Sequence, residues 1–559
     1  MALDNLARSL APLSALFMLI VGLWTGNAAA FLTGLLQPAL PLITSLFQKN
    51  EGEAGRFVTR LMLLPADAFT RVKAAATALH RVYRSRKNLL EWTTAADAEG
   101  GADARAQIPG KAAAIVLIPA LFRPAFAIAA LGTLALFFIA SDYVEALTRA
   151  PSRARLDSQS ISALLDLARR TWRFFAETVP VGGHGLPPDN VQTDPPVGAA
   201  NRTSPTNIGL YMVACVAARE LGLIGREAME ERLGATTATL ETLPKWKGHL
   251  YNWYGLPHLS PLPPRYVSAV DSGNLAACLL LCAAAAGGEL GARMEDLARG
   301  MDFTALYDDT RRLFRIGMDV ERDWAGDAHY DLLASEARIL SYVALMLGQV
   351  PQAHWFALGR GRSGRALVSW SGTLFEYLMP ELFMRAPEGS LLGESNRAVV
   401  AAQRKAGGDV WGVSESGFFA FDLDMNYQYR AFGLAPLALR GGDTGDVIAP
   451  YASALALSVD AQAAAQNLQK LMDAGFADET GLYEAVDASP ERMPEGERYR
   501  VVYSHMAHHQ GMILASLCNL LTGDSLVRHF SGRPEARALS LLLEEKGAPP
   551  APRSLRPRR

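Results

Sequence analysis

Net charge is almost absent from this chain, and that restricts its partners first. Its 559 residues hold 54 basic and 56 acidic side chains, a balance of −2, so there is no broad basic field to draw in nucleic acid. Cysteine is scarce. Cys215, Cys278, Cys282 and Cys518 stand in apolar runs such as "LAACLLLCAAAA", which suits reduced, buried thiols better than a disulfide framework or a Cys278/Cys282 metal pair. No phosphate-cradling glycine motif lies between a strand and a helix, and HExxH does not occur. No cofactor or metal is therefore expected. Strand-like alternation does not persist beyond about Leu156, which leaves a helical fold as the expectation.

Apolar residues, by contrast, make up 50% of the chain, with a mean hydropathy of +0.09. Two regions read as membrane-embedded. Leu13 to Phe47 is nearly free of charge, and Ala112 to Ala140 has a single charge at Arg123, followed by Pro124. A span needs about 20 apolar residues, so the first region fits one crossing or a bent pair, while Arg123-Pro124 suggests a kink or re-entrant break in the second. The arginine-rich connector, residues 48–111, and Arg149, Arg153 and Arg155 point to the cytoplasmic side. Reading "GNAAA" as a signal-peptidase site ranks second, because the apolar run continues well past Ala30. Residues 1–150 are thus expected to be membrane helices around a cytoplasmic connector.

From about Leu156 a polar or small-residue loop followed by an apolar helix recurs six times, from Ser204, Asp271, Asp331, Ser371, Ile448 and His505. Each is followed by a more polar helix, such as "REAMEERLGATTATLETL". A helix apolar on every face is buried all round, whereas its partner shows a stripe. The pattern predicts an all-α fold, an (α/α)6 toroid over residues 151–545, with the loops that open the inner helices converging on one mouth. Residues 546–559, rich in Pro and Arg, read as a disordered tail.

Carboxylates sit in those loops. In "HYDLLASEARIL", Asp331 reads as a helix cap, while Glu336 lies in a run too apolar for a solvated face; a buried carboxylate is costly unless paired, with Arg338 as its candidate partner. Glu376 in "WSGTLFEYLMP" reads as a hydrogen-bonded helix acid, and Glu415 in "WGVSESG" as catalytic. Acids interleaved with Trp and Tyr suit sugar chemistry, the rings stacking on pyranose faces and the acids moving protons. His505, His508 and His509 have the spacing of one helix face, which suits substrate binding or capping better than zinc. The three-residue "DLD" at Asp422 carries almost no information.

Together "TSPTNIGLY", "LPPRYVSAVDSGNLAACLL", "HYDLLASEAR", "VPQAHWFALGR", "LVSWSGTLFEYLMP", "VWGVSESGFFAFDLDMNYQYRAFG" and "SHMAHHQGM" resemble the glycoamylase-like domain of cyclic β-1,2-glucan synthases, and "SRKNLLEWTTAADAE" resembles a segment between membrane helices of the same proteins. The resemblance implies a toroid that closes linear β-1,2-glucan into rings by transglycosylation, at a bacterial inner membrane, multi-pass, with the catalytic domain cytoplasmic. It places the catalytic acids on Glu336 and Glu415, with Glu336 as acid/base in its apolar setting and Glu415 as nucleophile. Asp271, Asp331, Trp370, Tyr427, Tyr429, Arg430, His508 and Gln510 are the expected subsite residues. Linear β-1,2-glucan and membrane lipid are the expected partners. The family's glycosyltransferase and phosphorylase-like modules do not appear in this sequence, which suggests a split or truncated synthase with those modules as separate subunits, or a stand-alone glucan-processing enzyme. An endo-β-1,2-glucan hydrolase and a non-catalytic glucan-binding remnant are the alternatives.

Overall fold

The computed structural model describes residues 2–36, 39, 64, 68, 71, 76, 77, 80–85, 156–439, 441 and 445–546. The second apolar region, nearly all of the arginine-rich connector and the tail from 547 lie outside the described residues. The chain divides into two compact units, Met1–Ser152 and Arg153–Arg559.

In the first unit, α1 (Ala2–Thr25) contains Pro12 and ends at Gly26, whose φ of 70° turns the chain back. Asn27 then caps a second helical stretch, residues 28–36, its side chain accepting from the Ala29 and Ala30 N–H groups. Glycine lets the two arms touch: a Cβ on Gly22 would lie 2.5 Å from the Phe31 nitrogen, and one on Gly34 would lie 2.7 Å from that of Leu19. The first apolar region is therefore a bent pair in its described part. Among the described residues, the one helix long and apolar enough to cross a membrane is Ala269–Ala286, and 78% of it is buried inside the second unit.

That unit is a double ring. Among its described residues the inner helices are α3 (Pro205–Glu220), α5 (Ala269–Ala286), α7 (Arg338–Met346), α9 (Leu374–Leu378), α11 (Pro450–Leu455) and α13 (Ala507–Thr522). The outer ones are α2 (Ser158–Thr178), α4 (Arg226–Thr242), α6 (Gly288–Arg299), α8 (Ala353–Ala357), α10 (Leu391–Gly407) and α12 (Ala461–Asp473). Helix α3 shows why the inner ring reads as apolar throughout. Ser204 caps it, Pro205 sits at its first position where no N–H is needed, and every residue from Pro205 to Ala218 is buried. The last inner helix, α13, packs against α3 and closes the ring.

Three inner-helix crossings run through glycine. A Cβ on Gly209 would meet Cys278 Sγ at 2.9 Å, one on Gly273 would meet Leu340 Cα at 2.5 Å, and one on Gly511 would meet Leu210 Cβ at 2.8 Å. Each is the fifth residue of its helix. Their missing side chains draw the helix starts of α3, α5 and α13 against their neighbours. All four cysteines are buried and unbridged, and Cys278 fills the Gly209 crossing.

Two expectations need correction. The fold is mostly helical but not all-α, because the loops carry short antiparallel strands of two to six residues. Asn190–Gln192 pairs with Ser504–Met506, Val191 opposite His505, which joins distant parts of the chain, and Ser416–Phe421 pairs with Tyr427–Arg430. Nor are all the inner helices ten residues or longer: α7 has nine, α9 five and α11 six, the last two continuing as 3-10 turns.

Candidate active site

Where the first turns of the inner helices meet lies a cavity of about 380 Å³. Thr206 comes from α3, Asp271 and Asn274 from α5, Phe375 from α9 and His508 from α13, and Glu336 and Glu415 line the same space. A second cavity of about 420 Å³, lined by Gln192, Asn426, Tyr427 and Glu484, shares Asp189, Arg202, Tyr429 and Met506 with the first. The two form one cleft.

Glu336 does not sit in a helix. Residues 333–337 are bends and turns, and α7 begins only at Arg338, so the carboxylate projects from the segment leading into an inner helix. Ser335 Oγ donates to it at 3.2 Å. Arg338 is not its partner: that guanidinium donates to the Leu333 and Tyr377 carbonyls and stands 3.8 Å from Glu381. Glu415 precedes the strand Ser416–Phe421 and accepts from the Tyr429 hydroxyl at 2.9 Å. Glu376 is spent on structure. It completes the capping box of α9 with Thr373, and it also accepts from Ser369 Oγ and from the Trp370 and Ser371 N–H groups.

Burial raises the Glu336 carboxyl first, the Glu376 and Glu415 charges add to it, and it is pushed up to about 8. Burial also raises Glu415, but the Tyr429 hydrogen bond opposes it, and with Glu376, Glu484 and Asp271 nearby the group is held at about 7. Glu415 too therefore lies above the ordinary carboxylate range. Both carboxyls are thus raised chiefly by burial, and Glu336 also carries the Glu415 charge beside it. Because the two interact, protons leave the pair in two linked steps.

Four of the expected subsite residues line the cleft. Asp271 is raised by burial, although Thr206 Oγ1 donates to it at 2.5 Å. His508 Nδ1 faces Asn207 Oδ1 at 3.0 Å, and burial beside His509 lowers it to about 3, so it is a neutral ring. Tyr427 donates to the Asp194 carbonyl, and Tyr429, 42% exposed, forms part of the wall. Asp331, Trp370, Arg430 and Gln510 are not among the described lining residues. Asp331 caps no helix; its carbonyl takes the Gly359 N–H. Trp370 lends its N–H to Glu376, Arg430 lies over Phe418, and Gln510 donates to the Leu482 carbonyl. His505 is in a strand rather than on the helix of His508 and His509. Among the described residues no cluster suits a metal ion.

Sequence reasoning missed Asp189, Arg202 and Glu484. Asp189 accepts from Arg202 and from Asn207 Nδ2, and Arg202 lies 4.4 Å over Trp253. Glu484, 3% exposed, is pushed up to about 7 by burial. Its setting in "GLYEAVD", an acid among apolar residues, is the same signal that singled out Glu336.

Residues 328–531, which contain both Glu336 and Glu415, match the Glycoamylase family model, described as "Putative glucoamylase". This part of the chain is similar to members of that family. Residues 166–259 match a second model, described as a protein of unknown function, DUF3131. Among curated proteins the chain is similar to the cyclic β-(1,2)-glucan synthase NdvB of Rhizobium meliloti (strain 1021), with 32% identity over 99% of this chain and 26% of that protein. The chain thus spans about a quarter of that relative's length. Among solved structures it resembles an endo-β-1,2-glucanase from Chitinophaga pinensis in complex with sophorotriose and glucose, with TM-score 0.57, 19% identity, and 70% of this chain and 99% of that one covered. An endo-β-1,2-glucanase mutant from Talaromyces funiculosus, in complex with β-1,2-glucan, aligns with TM-score 0.55 and 13% identity over 69% of this chain and 89% of that one. At these identities the two structures speak for the fold, a glycoamylase-like toroid.

Proposed function

We propose that the toroid is a retaining transglycosylase that closes linear β-1,2-glucan into rings. The observation that carries this reading is the pair Glu336 and Glu415 lining one cavity. Glu336, still protonated near neutrality, gives its proton to the leaving oxygen as the glycosidic bond breaks, while Glu415 attacks C1 and forms a glycosyl ester. A C2 hydroxyl from the other end of the same chain then attacks C1, returns a proton to Glu336 and frees Glu415. Two displacements retain the β configuration. The cleft beyond the first cavity offers room and aromatic surface for several sugar units, as a chain that must fold back requires.

The bent pair at residues 2–36, together with residues 112–140, anchors the chain in a bacterial inner membrane with the toroid on the cytoplasmic side. Incubating the full chain with linear β-1,2-glucan and weighing the products tests the reading. Rings, each one water lighter than the linear chain of the same length, are the expected result. Short linear chains with new reducing ends would make the enzyme a hydrolase, and binding without turnover would make it a scaffold.

A further inference from the structure

Behind Glu415 runs a line of polar groups that the double displacement leaves unused, from Tyr429 in the cleft wall to the buried His509 and Glu484. Glu484 accepts the Gly417 N–H at 3.0 Å through Oε1 and faces His509 Nδ1 at 2.9 Å through Oε2. A carboxylate opposite an imidazole nitrogen assigns the proton to that nitrogen, which makes His509 Nε2 a bare acceptor. The ring is stacked on Tyr451, with centroids 3.6 Å and planes 10° apart, so Nε2 keeps its direction. It lies 3.5 Å from the Tyr429 hydroxyl, and that hydroxyl is 2.9 Å from Glu415 Oε1. One proton faces two acceptors.

Resting on the reading of Glu415 as nucleophile, we infer that Tyr429, His509 and Glu484 form a positioning relay for it, the Tyr429 hydrogen pointing to Glu415 while that carboxylate is charged and turning to His509 Nε2 once the sugar is bonded. In the first displacement a Glu415 oxygen bonds to C1, the C1–O bond to the leaving sugar breaks with its electron pair, and Glu336 supplies the proton to that oxygen. The Glu415 ester is a poorer acceptor than the carboxylate. Tyr429 keeps its O–H bond and only rotates, so no further proton moves. When the attacking hydroxyl returns a proton to Glu336 and the ester breaks, Glu415 is charged again and the Tyr429 hydrogen swings back. Without His509 Nε2 the hydroxyl would have no second acceptor at the moment the first one weakens. The other groups facing Glu415 are Glu336, Glu376 and Asp271, with Tyr330 and Tyr451 beside them, and none of them joins Tyr429 to Glu484.

The test uses the full chain and linear β-1,2-glucan. Tyr429→Phe removes a donor that favours the charged form of Glu415, so the acidic limb of kcat/KM moves to higher pH by about one to two units. His509→Phe keeps a flat ring over Tyr451 but has no acceptor; it leaves that limb nearly in place and lowers kcat roughly tenfold. In the double variant the two losses do not multiply, and kcat equals that of Tyr429→Phe alone. An unmoved acidic limb in Tyr429→Phe, or multiplying losses in a double variant that circular dichroism shows to be folded, would overturn the relay. Should His509→Phe not fold, the pH profile of Tyr429→Phe decides alone, since it removes a single hydroxyl from the cleft wall. Acid quenching during turnover, followed by peptide mass analysis, separates the two layers of the argument. A sugar found on Glu336 overturns the assignment of Glu415 and the relay with it, whereas a sugar on Glu415 with an unmoved limb overturns the relay only.

Discussion

Replacing Glu376 with Gln keeps the shape and removes one charge, and the structure sets two separate consequences. Oε1 accepts the Trp370 N–H at 2.9 Å and the Ser371 N–H at 3.1 Å, while Oε2 accepts Ser369 Oγ at 2.9 Å, the Thr373 N–H at 3.0 Å and Thr373 Oγ1 at 3.3 Å. The glutamine oxygen will take the more crowded Oε2 place, which turns the new NH2 group toward two N–H donors. Ser371 can still reach the other oxygen, 3.2 Å away, while the Trp370 backbone N–H, 2.9 Å from Oε1, faces the new NH2 group. One buried donor set against another, plus weaker bonds to a neutral acceptor, costs about 2–4 kcal/mol, out of a stability that is typically only about 5–15 kcal/mol. The second consequence is electrostatic. The Glu376 charge raises both Glu336 and Glu415, so its loss lowers both, and the window in which Glu415 is charged and Glu336 protonated moves toward acid. Glu376→Gln should therefore stay active, unfold at lower urea and show a pH optimum shifted down. An unchanged urea midpoint together with an unchanged optimum would refute the reasoning.

Glu336→Gln and Glu415→Gln should each abolish turnover of linear β-1,2-glucan while leaving glucan binding measurable by calorimetry, because glutamine neither donates a proton as an acid nor attacks as a carboxylate. Azide should rescue Glu415→Ala and give a glycosyl azide of inverted configuration, seen by NMR; rescue of a Glu336 variant instead would exchange the two roles. A fragment starting at Leu156 should stay monodisperse without detergent in size-exclusion chromatography, since the toroid has its own core. Gly273→Ala should lower the thermal midpoint, with a cost of about 1–3 kcal/mol, because its Cβ would meet Leu340 Cα at 2.5 Å. Gly234→Ala, with open space around it, should leave the midpoint equal or slightly higher.

The inner ring was legible because burial on every face leaves a mark that no amphipathic helix shares, as in "SPTNIGLYMVACVAA". Three of the six inner helices, α3, α5 and α9, carry side-chain caps, whereas α7 begins at Arg338 and not at Asp331. Strands of two or three residues such as Asn190–Gln192 leave no period to detect, and one partner of that strand is as remote as Ser504–Met506. Glu336 stood out as an acid in an apolar run, yet the same run gave the wrong local structure, because helix propensity yields to the turn that precedes α7. Arg338 was paired with its near neighbour when the fold supplies Glu381. Glu484 carried the right signal but lies in a two-strand junction for which helical pattern matching has no template. Gln510 illustrates the converse, a residue inside a shared motif whose side-chain amide donates to the Leu482 carbonyl.

The glycines at the fifth position of three inner helices bear on how this cleft could be resized. On the arc from α13 through α3 and α5 to α7, the aperture is set by atoms that are not there, whereas the fifth residues of α7 and α9 are Tyr342 and Leu378. The half of the rim that carries His508, Asp271 and Glu336 is therefore a tight collar. Changing Gly209 or Gly511 would spread that collar and stretch the Thr206–Asp271 and Asn207–His508 contacts that bridge it, so calibre and chemistry are tied to one another.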